Sequence, residues 1–255
     1  MPGTCVIACC QVCGRHITFD RMEALKLLKL LLVPLGVIGG LLFFWLFPLK
    51  LLSRLAARFG KSAPCPASLA WLVDNPIRRR YMRPVLNRVG ICPGECVLEL
   101  GPGSGMFTVD AAQRVGPEGH LIAVDIQQAM IAQVKKRVQQ AGLTNVETRV
   151  ASAYDLPLDD ASVDRAFLVT VLPEIPDQAR ALAELHRVIK PGGLLSITEE
   201  FLDPDYPFAF ETIRRVEASG FNLERRFGNF WLYTLNFGRP LAQHVRRWRA
   251  RQATS

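Results

Sequence analysis

Between residues 96 and 240, short apolar runs alternate with stretches of helical period, and this rhythm constrains the fold more than any other feature of the chain. CVLEL (96–100), HLIAVDI (120–126), VETRVAS (146–152), VDRAFLVTVL (163–172) and GLLSITEE (193–200) read as strands. Helices are expected from about Ser104, Gln128, Asp177 and Phe208. Strands separated by helices form right-handed crossovers and a parallel sheet covered on both faces. The end breaks the rhythm. NLERRF (222–227) and FWLYTLNF (230–237) are separated only by Gly228-Asn229, so they must pair antiparallel. The expected fold is α/β: a doubly wound, mostly parallel, seven-stranded sheet with an antiparallel C-terminal hairpin.

Upstream the texture differs. Residues 30–49, LLLVPLGVIGGLLFFWLFPL, carry no charge. As a helix, twenty residues reach about 30 Å, the thickness of a hydrocarbon core. Lys26 and Lys29 flank one end; Lys50, Arg54 and Arg58 flank the other. The run and its leader are too long for a cleaved signal peptide. Pro34 and Gly39-Gly40 allow either a spanning helix or a re-entrant hairpin. KLLSRLAARFGK (50–61) places Leu51, Leu52, Leu55 and Phe59 on one helical face, as an interfacial helix would. SAPCPAS (62–68) then reads as a hinge. The expected organisation is a tail over 1–24, a hydrophobic anchor and interfacial helix over 25–61, a catalytic domain over 62–240, and a basic tail over 241–255.

Charge and cysteines narrow the partners. The net charge is +8, with the basic surplus around the apolar segment and at the C-terminal end. That distribution favours an anionic membrane surface over nucleic acid. Four of the seven cysteines crowd residues 5–13, and the odd count fits a reducing compartment. Cys10 and Cys13 form a CxxC, but a zinc site needs a second ligand pair, so no metal is expected.

VLELGPGSG (97–105) carries the chemistry. Gly101, Gly103 and Gly105 follow a strand and open a helix, where bare backbone lets a ligand approach and free N–H groups point outward. A dinucleotide fingerprint would place its last glycine where Met106 stands. Glu99 would repel a pyrophosphate but suits a cation. Asp125, at the end of the second strand, can accept from both hydroxyls of a ribose. Together they ask for a nucleoside with a cationic tail, which S-adenosylmethionine is.

With these residues in place, the chain resembles the class I S-adenosylmethionine-dependent methyltransferases from about Pro66 to Pro240. VLELGPGSG looks like their motif I and LIAVDI like their motif II; ASAYDLPLDDASVD (151–164) and ELHRVIKPGGLLSITE (184–199) resemble two further family blocks. The nearest likeness is to the ubiquinone/menaquinone-biosynthesis-like group, here with LVDNPIRRR (72–80) before motif I and TVLPEIPD (170–177) after strand four. The resemblance implies S-adenosyl-L-methionine as cofactor and a Rossmann-like methyltransferase fold. It implies that Gly101, Pro102, Gly103, Ser104 and Gly105 line the cofactor, that Glu99 holds its ammonium and that Asp125 takes the ribose. Ile126 would pack on the adenine, and Ser152 and Ala153 would stand at its edge. The family often has Asp where Ser152 stands, so this contact departs from the pattern.

Methyl transfer needs positioning first, and a base only where the acceptor must lose a proton. Glu174 and Glu200 are the candidate catalytic carboxylates; Glu199, Asp203, Asp205 and Tyr206 lie close in sequence. For Arg78, Arg79 and Arg80, gripping an anionic headgroup and forming a solvated helix face weigh equally. Strand four lacks the signature of enzymes that methylate nucleic-acid amines. The expected function is a membrane-located methyltransferase, its domain on the cytoplasmic side, acting on a lipophilic small molecule: an isoprenoid quinone-type precursor or a lipid headgroup. The alternative is a catalytically silent binding module of the same fold.

Overall fold

A computed structural model describes residues 26, 29–41, 43, 74–203 and 205–241. In the sheet domain, Asn75 opens α1 (Pro76–Met82): its side-chain oxygen accepts from Arg78 N at 2.9 Å, and Pro76 supplies a pre-set first turn. The short α2 (Val85–Val89) ends on the left-handed Gly90. Then follow β1 (Cys96–Leu100), α3 (Thr108–Val115), β2 (His120–Asp125), α4 (Gln128–Gln140), β3 (Val146–Val150) and β4 (Val163–Val169). A 3-10 turn (Leu172–Glu174) leads to α5 (Gln178–Val188), β5 (Ile189–Glu200), α6 (Ala209–Ala218), β6 (Asn222–Gly228) and β7 (Leu232–Gly238).

The described strands form one seven-stranded sheet in the order β3-β2-β1-β4-β5-β7-β6. β1 to β5 run parallel; β7 is antiparallel to β5, and β6 to β7. The chain builds from β1 outward through β2 and β3, then returns to place β4 on the other side of β1. That reversal leaves a crevice at the carboxyl ends of β1 and β4, where open parallel sheets bind ligands.

Alternation along the strands sorts the core into two layers. Leu98, Leu100, Ile122, Val124, Ala166, Leu168, Leu195 and Ile197 pack with Leu182, Leu185, Val188 and Val216 on one face. Val97, Leu121 and Phe167 pack with Met82, Val85, Val89, Ala111, Ala112 and Val115 on the other. Polar residues in β5 and β7 pair across the strands: Ser196 Oγ donates to Asn236 Oδ1 at 2.8 Å, and the Thr198 and Thr234 hydroxyls meet at 2.9 Å.

Three boundaries depart from the sequence reading. The helix after the glycine loop begins at Thr108 rather than Ser104, because residues 103–107 form turns first. β5 starts at Ile189, so it includes Lys190-Pro191-Gly192-Gly193, whose composition signals a turn. The chain holds that start by pairing Ile189 with Val163 across a bulge. The C-terminal hairpin turns over three residues, Asn229 to Trp231, not two. Asn229 Oδ1 accepts from Trp231 N at 2.9 Å and Leu232 N at 3.3 Å, which caps the turn and leaves Phe230 and Trp231 outside the ladder.

Residues 29–41 are helical, and the apolar side chains Leu30, Leu31, Val33, Leu35 and Leu41 are all exposed. Among the described residues no helix is long and apolar enough to cross a membrane. Residues 44–49 of the expected anchor, the interfacial helix over 50–61, the tail over 1–24 and residues 242–255 lie outside the described residues, as do Cys5, Cys9, Cys10, Cys13 and Cys65. Cys92 and Cys96 are free thiols. Among the described residues no cluster of His, Cys, Asp and Glu could hold a metal.

Candidate functional site

The crevice between the ends of β1 and β4 is a cavity of about 350 Å³. Its floor is the glycine loop. Gly101 sits at φ +71°, in the left-handed region, and a Cβ there would lie 2.5 Å from Val171 Cγ2. Only glycine lets β1 run this close to the segment after β4. Gly103, at φ +55°, has nothing within 4 Å of where a Cβ would stand. Its open side faces the cavity, which it lines together with Gly101, Pro102 and Ser104. Gly105 does not line the cavity; it packs toward Val134, Arg137 and Thr108.

Asp125 closes β2 with its carboxylate at the cavity wall. Oδ1 accepts from Gln127 N at 2.8 Å, and Oδ2 from Gly103 N at 3.3 Å. Burial raises its pKa, and these backbone N–H groups partly offset the rise. Ile126 beside it is 60% exposed although apolar, an open flat surface at the cavity edge. Ser152 and Ala153 line the same end. Ser152 Oγ accepts from Tyr154 N at 3.2 Å.

Glu99 also lines the cavity and is almost wholly buried. It shares a sheet face with Val97, so it points toward α3, where Thr108 Oγ1 donates to its Oε2 at 2.7 Å. Burial pushes its pKa up to about 7; the Thr108 hydroxyl pulls back and the Asp125 charge adds to the rise. A ligand cation would reverse the shift, because an opposite charge favours the carboxylate.

Asp74 is a site residue to which the sequence reading assigned no role. It lines the cavity and accepts from Ser104 Oγ at 2.7 Å, Arg79 Nε at 2.6 Å and Arg137. Burial alone would raise its pKa, but these donors hold it down at about 2. The carboxylate thus ties the glycine loop to α1 and α4. The one available signal was its place in the LVDNPIRRR block.

The opposite end of the cavity is bounded by Arg78, Thr170, Glu174 and Asp203. Thr170 has φ 55°, a left-handed conformation unusual for a β-branched residue, at the point where β4 gives way to the loop. Arg78 Nη2 donates to Thr170 Oγ1 at 3.2 Å, and Arg78 Nε to Glu200 Oε1 at 2.6 Å. The three arginines of α1 therefore separate: Arg78 enters the site, Arg79 binds Asp74, and Arg80 is exposed. Of the two candidate carboxylates, Glu174 lines the cavity, whereas Glu200 stands outside it and orients Arg78.

Glu199 is fully buried, and neither of its oxygens has a hydrogen-bond partner among the described residues. Burial, with the charges of Asp203, Glu174, Glu200 and Asp205, drives its pKa well above the carboxylate range. Asp203 is raised to about 6, mainly by burial. His186 stacks edge-on to Phe221 at 5.1 Å and does not line the cavity.

Residues 98–197 match the family described as "Methyltransferase domain". The chain is 31% identical over 177 residues to the ubiquinone/menaquinone biosynthesis C-methyltransferase UbiE of Vibrio vulnificus, covering 69% of this chain and 66% of that protein. It is 36% identical over 117 residues to the arsenite methyltransferase of Halobacterium salinarum, covering 46% of this chain and 30% of that one. Among solved structures, an S-adenosylmethionine-dependent methyltransferase from Aquifex aeolicus matches with a TM-score of 0.65 and 25% identity, over 69% of this chain and 100% of that one. The chain spans about half or less of the length of several curated relatives it matches. The matched domain and the Aquifex aeolicus structure indicate S-adenosylmethionine as the cofactor.

Proposed function

We propose that the chain is an S-adenosylmethionine-dependent methyltransferase acting at a membrane on a lipophilic small molecule, an isoprenoid quinone-type precursor or a lipid headgroup. One observation carries the cofactor half. Glu99 and Asp125 stand at one cavity with the bare Gly103 backbone between them in the loop. In this reading Glu99 takes the ammonium, Asp125 the ribose hydroxyls, and Ile126, Ser152 and Ala153 the adenine. When bound, the cofactor supplies a methyl group on sulfur that leaves as a neutral thioether, so no nucleophile of the protein is needed.

The chain's own residues then have three tasks. The glycine loop and Asp74 fix where the methyl group lies. Arg78, held by Glu200, and Thr170 shape the space the acceptor enters. Glu174 is the proposed base: it takes the proton of an O–H, N–H or activated C–H acceptor whose electron pair forms the new bond. The lipophilic acceptor is supported by the quinone-biosynthesis relatives and by the exposed apolar helix at 29–41. Arsenic(III) is a soft centre suited to thiolates, and of the cysteines among the described residues neither Cys92 nor Cys96 lines the cavity.

The test is a labelled-methyl assay against a membrane lipid extract. Label should partition into the organic phase. Label found only in water-soluble protein would overturn the lipophilic acceptor. No melting shift with S-adenosylhomocysteine would overturn the cofactor site itself.

A further inference from the structure

The acceptor end of the cavity adjoins a continuous run of aromatic side chains that the methyl-transfer reading does not use. The β5–α6 loop contributes Phe201, Tyr206 and Phe208; α6 contributes Phe210; the β6–β7 turn contributes Phe230 and Trp231. Ring centroids lie 4.8 Å apart for Phe201–Phe230, 4.9 Å for Phe201–Trp231, 5.6 Å for Phe230–Trp231 and 5.8 Å for the stacked pair Phe208–Phe210. Two hydrogen bonds fasten loop to turn: Tyr206 Oη donates to Phe230 O at 2.6 Å, and Phe201 N to Trp231 O at 2.8 Å. The platform is therefore built, yet its outer members face solvent: Phe210 is 67% exposed, Trp231 55% and Phe230 47%. Leu202, in the same loop, is exposed as well. The next residue, Asp203, lines the cavity.

Contiguous exposed apolar surface beside a site marks a docking face. Three observations identify what docks. Tryptophan and phenylalanine on a tip whose backbone is internally satisfied suit the headgroup level of a bilayer, where an aromatic body is buried and its edge stays wet. Arg214, one helical turn beyond Phe210, and Arg225 and Arg226, on the strand leading to the tip, are exposed. These charges complement anionic lipid. The chain's other exposed apolar surface, at 29–41, calls for the same kind of surrounding.

We propose that the platform of Phe210, Phe230 and Trp231 docks on an anionic lipid bilayer and presents the acceptor end of the cavity to it. This rests on the reading of a lipophilic acceptor: the molecule would pass from the bilayer past Leu202 and Asp203 without crossing water. The partner is the lipid surface itself, not a carrier protein.

The test uses the full chain with Trp45, Trp71 and Trp248 replaced by Phe, so that Trp231 reports alone. Vesicles of phosphatidylcholine with phosphatidylglycerol, carrying brominated acyl chains, should quench Trp231 and shift its emission to the blue. The F210E/F230E variant should lose the quenching and bind these vesicles about tenfold more weakly. Its melting shift with S-adenosylhomocysteine should persist, showing an intact domain. Vesicle-bound protein with Trp231 unquenched would overturn the proposal, since another segment then does the binding. Unchanged quenching in the variant would overturn it too. Quenching as expected, with no lipid-soluble methylated product, would leave the docking face standing and remove the acceptor reading instead.

Discussion

The two ends of the cavity are assembled in different ways. The end proposed to hold the cofactor is local: Glu99, Gly101 and Gly103 belong to one strand and loop, and Asp125 closes the next strand. The acceptor end is drawn from afar. Arg78 meets Thr170 across 92 residues and Glu200 across 122. A local site survives as a sequence pattern because its geometry is that of a single strand–turn–helix unit. A site gathered from three distant segments can change its chemistry without disturbing that unit. The difference teaches which half of the reaction a family likeness reports.

Several experiments can break or sharpen this contrast. Asp125→Ala should weaken S-adenosylhomocysteine binding by about a hundredfold, since hydrogen bonds to a charged group are each worth roughly 1.5–3 kcal/mol. Calorimetric titration measures it, and a loss under threefold would remove Asp125 from the site. Glu200→Gln should do the reverse. Cofactor affinity should stay within about twofold, while kcat/KM for the acceptor falls on the order of thirtyfold as Arg78 loses its orientation. A KM increase with kcat intact would mean that Arg78 only binds the acceptor. Equal losses in cofactor and acceptor affinity would erase the division between the two ends.

The same division explains what the sequence made legible. The sheet, its parallel run and the closing hairpin followed from apolar runs and their spacing, because each strand's burial is written in its own residues. That Glu99, Gly101, Gly103 and Asp125 share one cavity follows from the same local unit, whereas Gly105 packs away from it. Asp74 was not legible: its partners Ser104 and Arg137 lie 30 and 63 residues away, and only folding brings them together. Arg78 could not be separated from Arg79 and Arg80, since three successive arginines on a helix point in three directions that only the surroundings distinguish. The three-residue hairpin turn was hidden by Phe230 and Trp231, whose type suits a strand interior while Asn229 caps the turn before them.

A third experiment concerns charge. With the Glu99 pKa at about 7, the unliganded chain holds a proton there that the unfolded chain has lost above its ordinary value of 4.5. The folded state therefore binds more protons between pH 4.5 and 7, and this group's contribution to stability falls as pH rises through that window. Ligand binding runs the opposite way. An ammonium needs the carboxylate, so below pH 7 affinity for S-adenosylhomocysteine should rise by about tenfold per pH unit and level off above it. Glu99→Gln should bind more weakly and flatten the profile. A flat profile in the unsubstituted protein would mean that Glu99 does not meet the cation.

The smallest expected effect probes the adenine edge, where this chain departs from the pattern it otherwise follows. Ser152 lines the cavity, and its hydroxyl already accepts from Tyr154 N, which leaves one neutral lone pair for an exocyclic amine. Ser152→Asp offers two oxygens and a charge-assisted bond in place of a neutral one. Against this gain stands repulsion from Asp125, whose own pKa is already raised, and from Asp155 three residues on. At a partly solvated edge the hydrogen bond should win narrowly, tightening S-adenosylhomocysteine about threefold with no change for a ligand lacking the adenine amine. An equal gain for both ligands would show that the added charge acts on the cationic tail instead. A loss for both would place the adenine elsewhere and leave Ile126 without the ring it is proposed to carry.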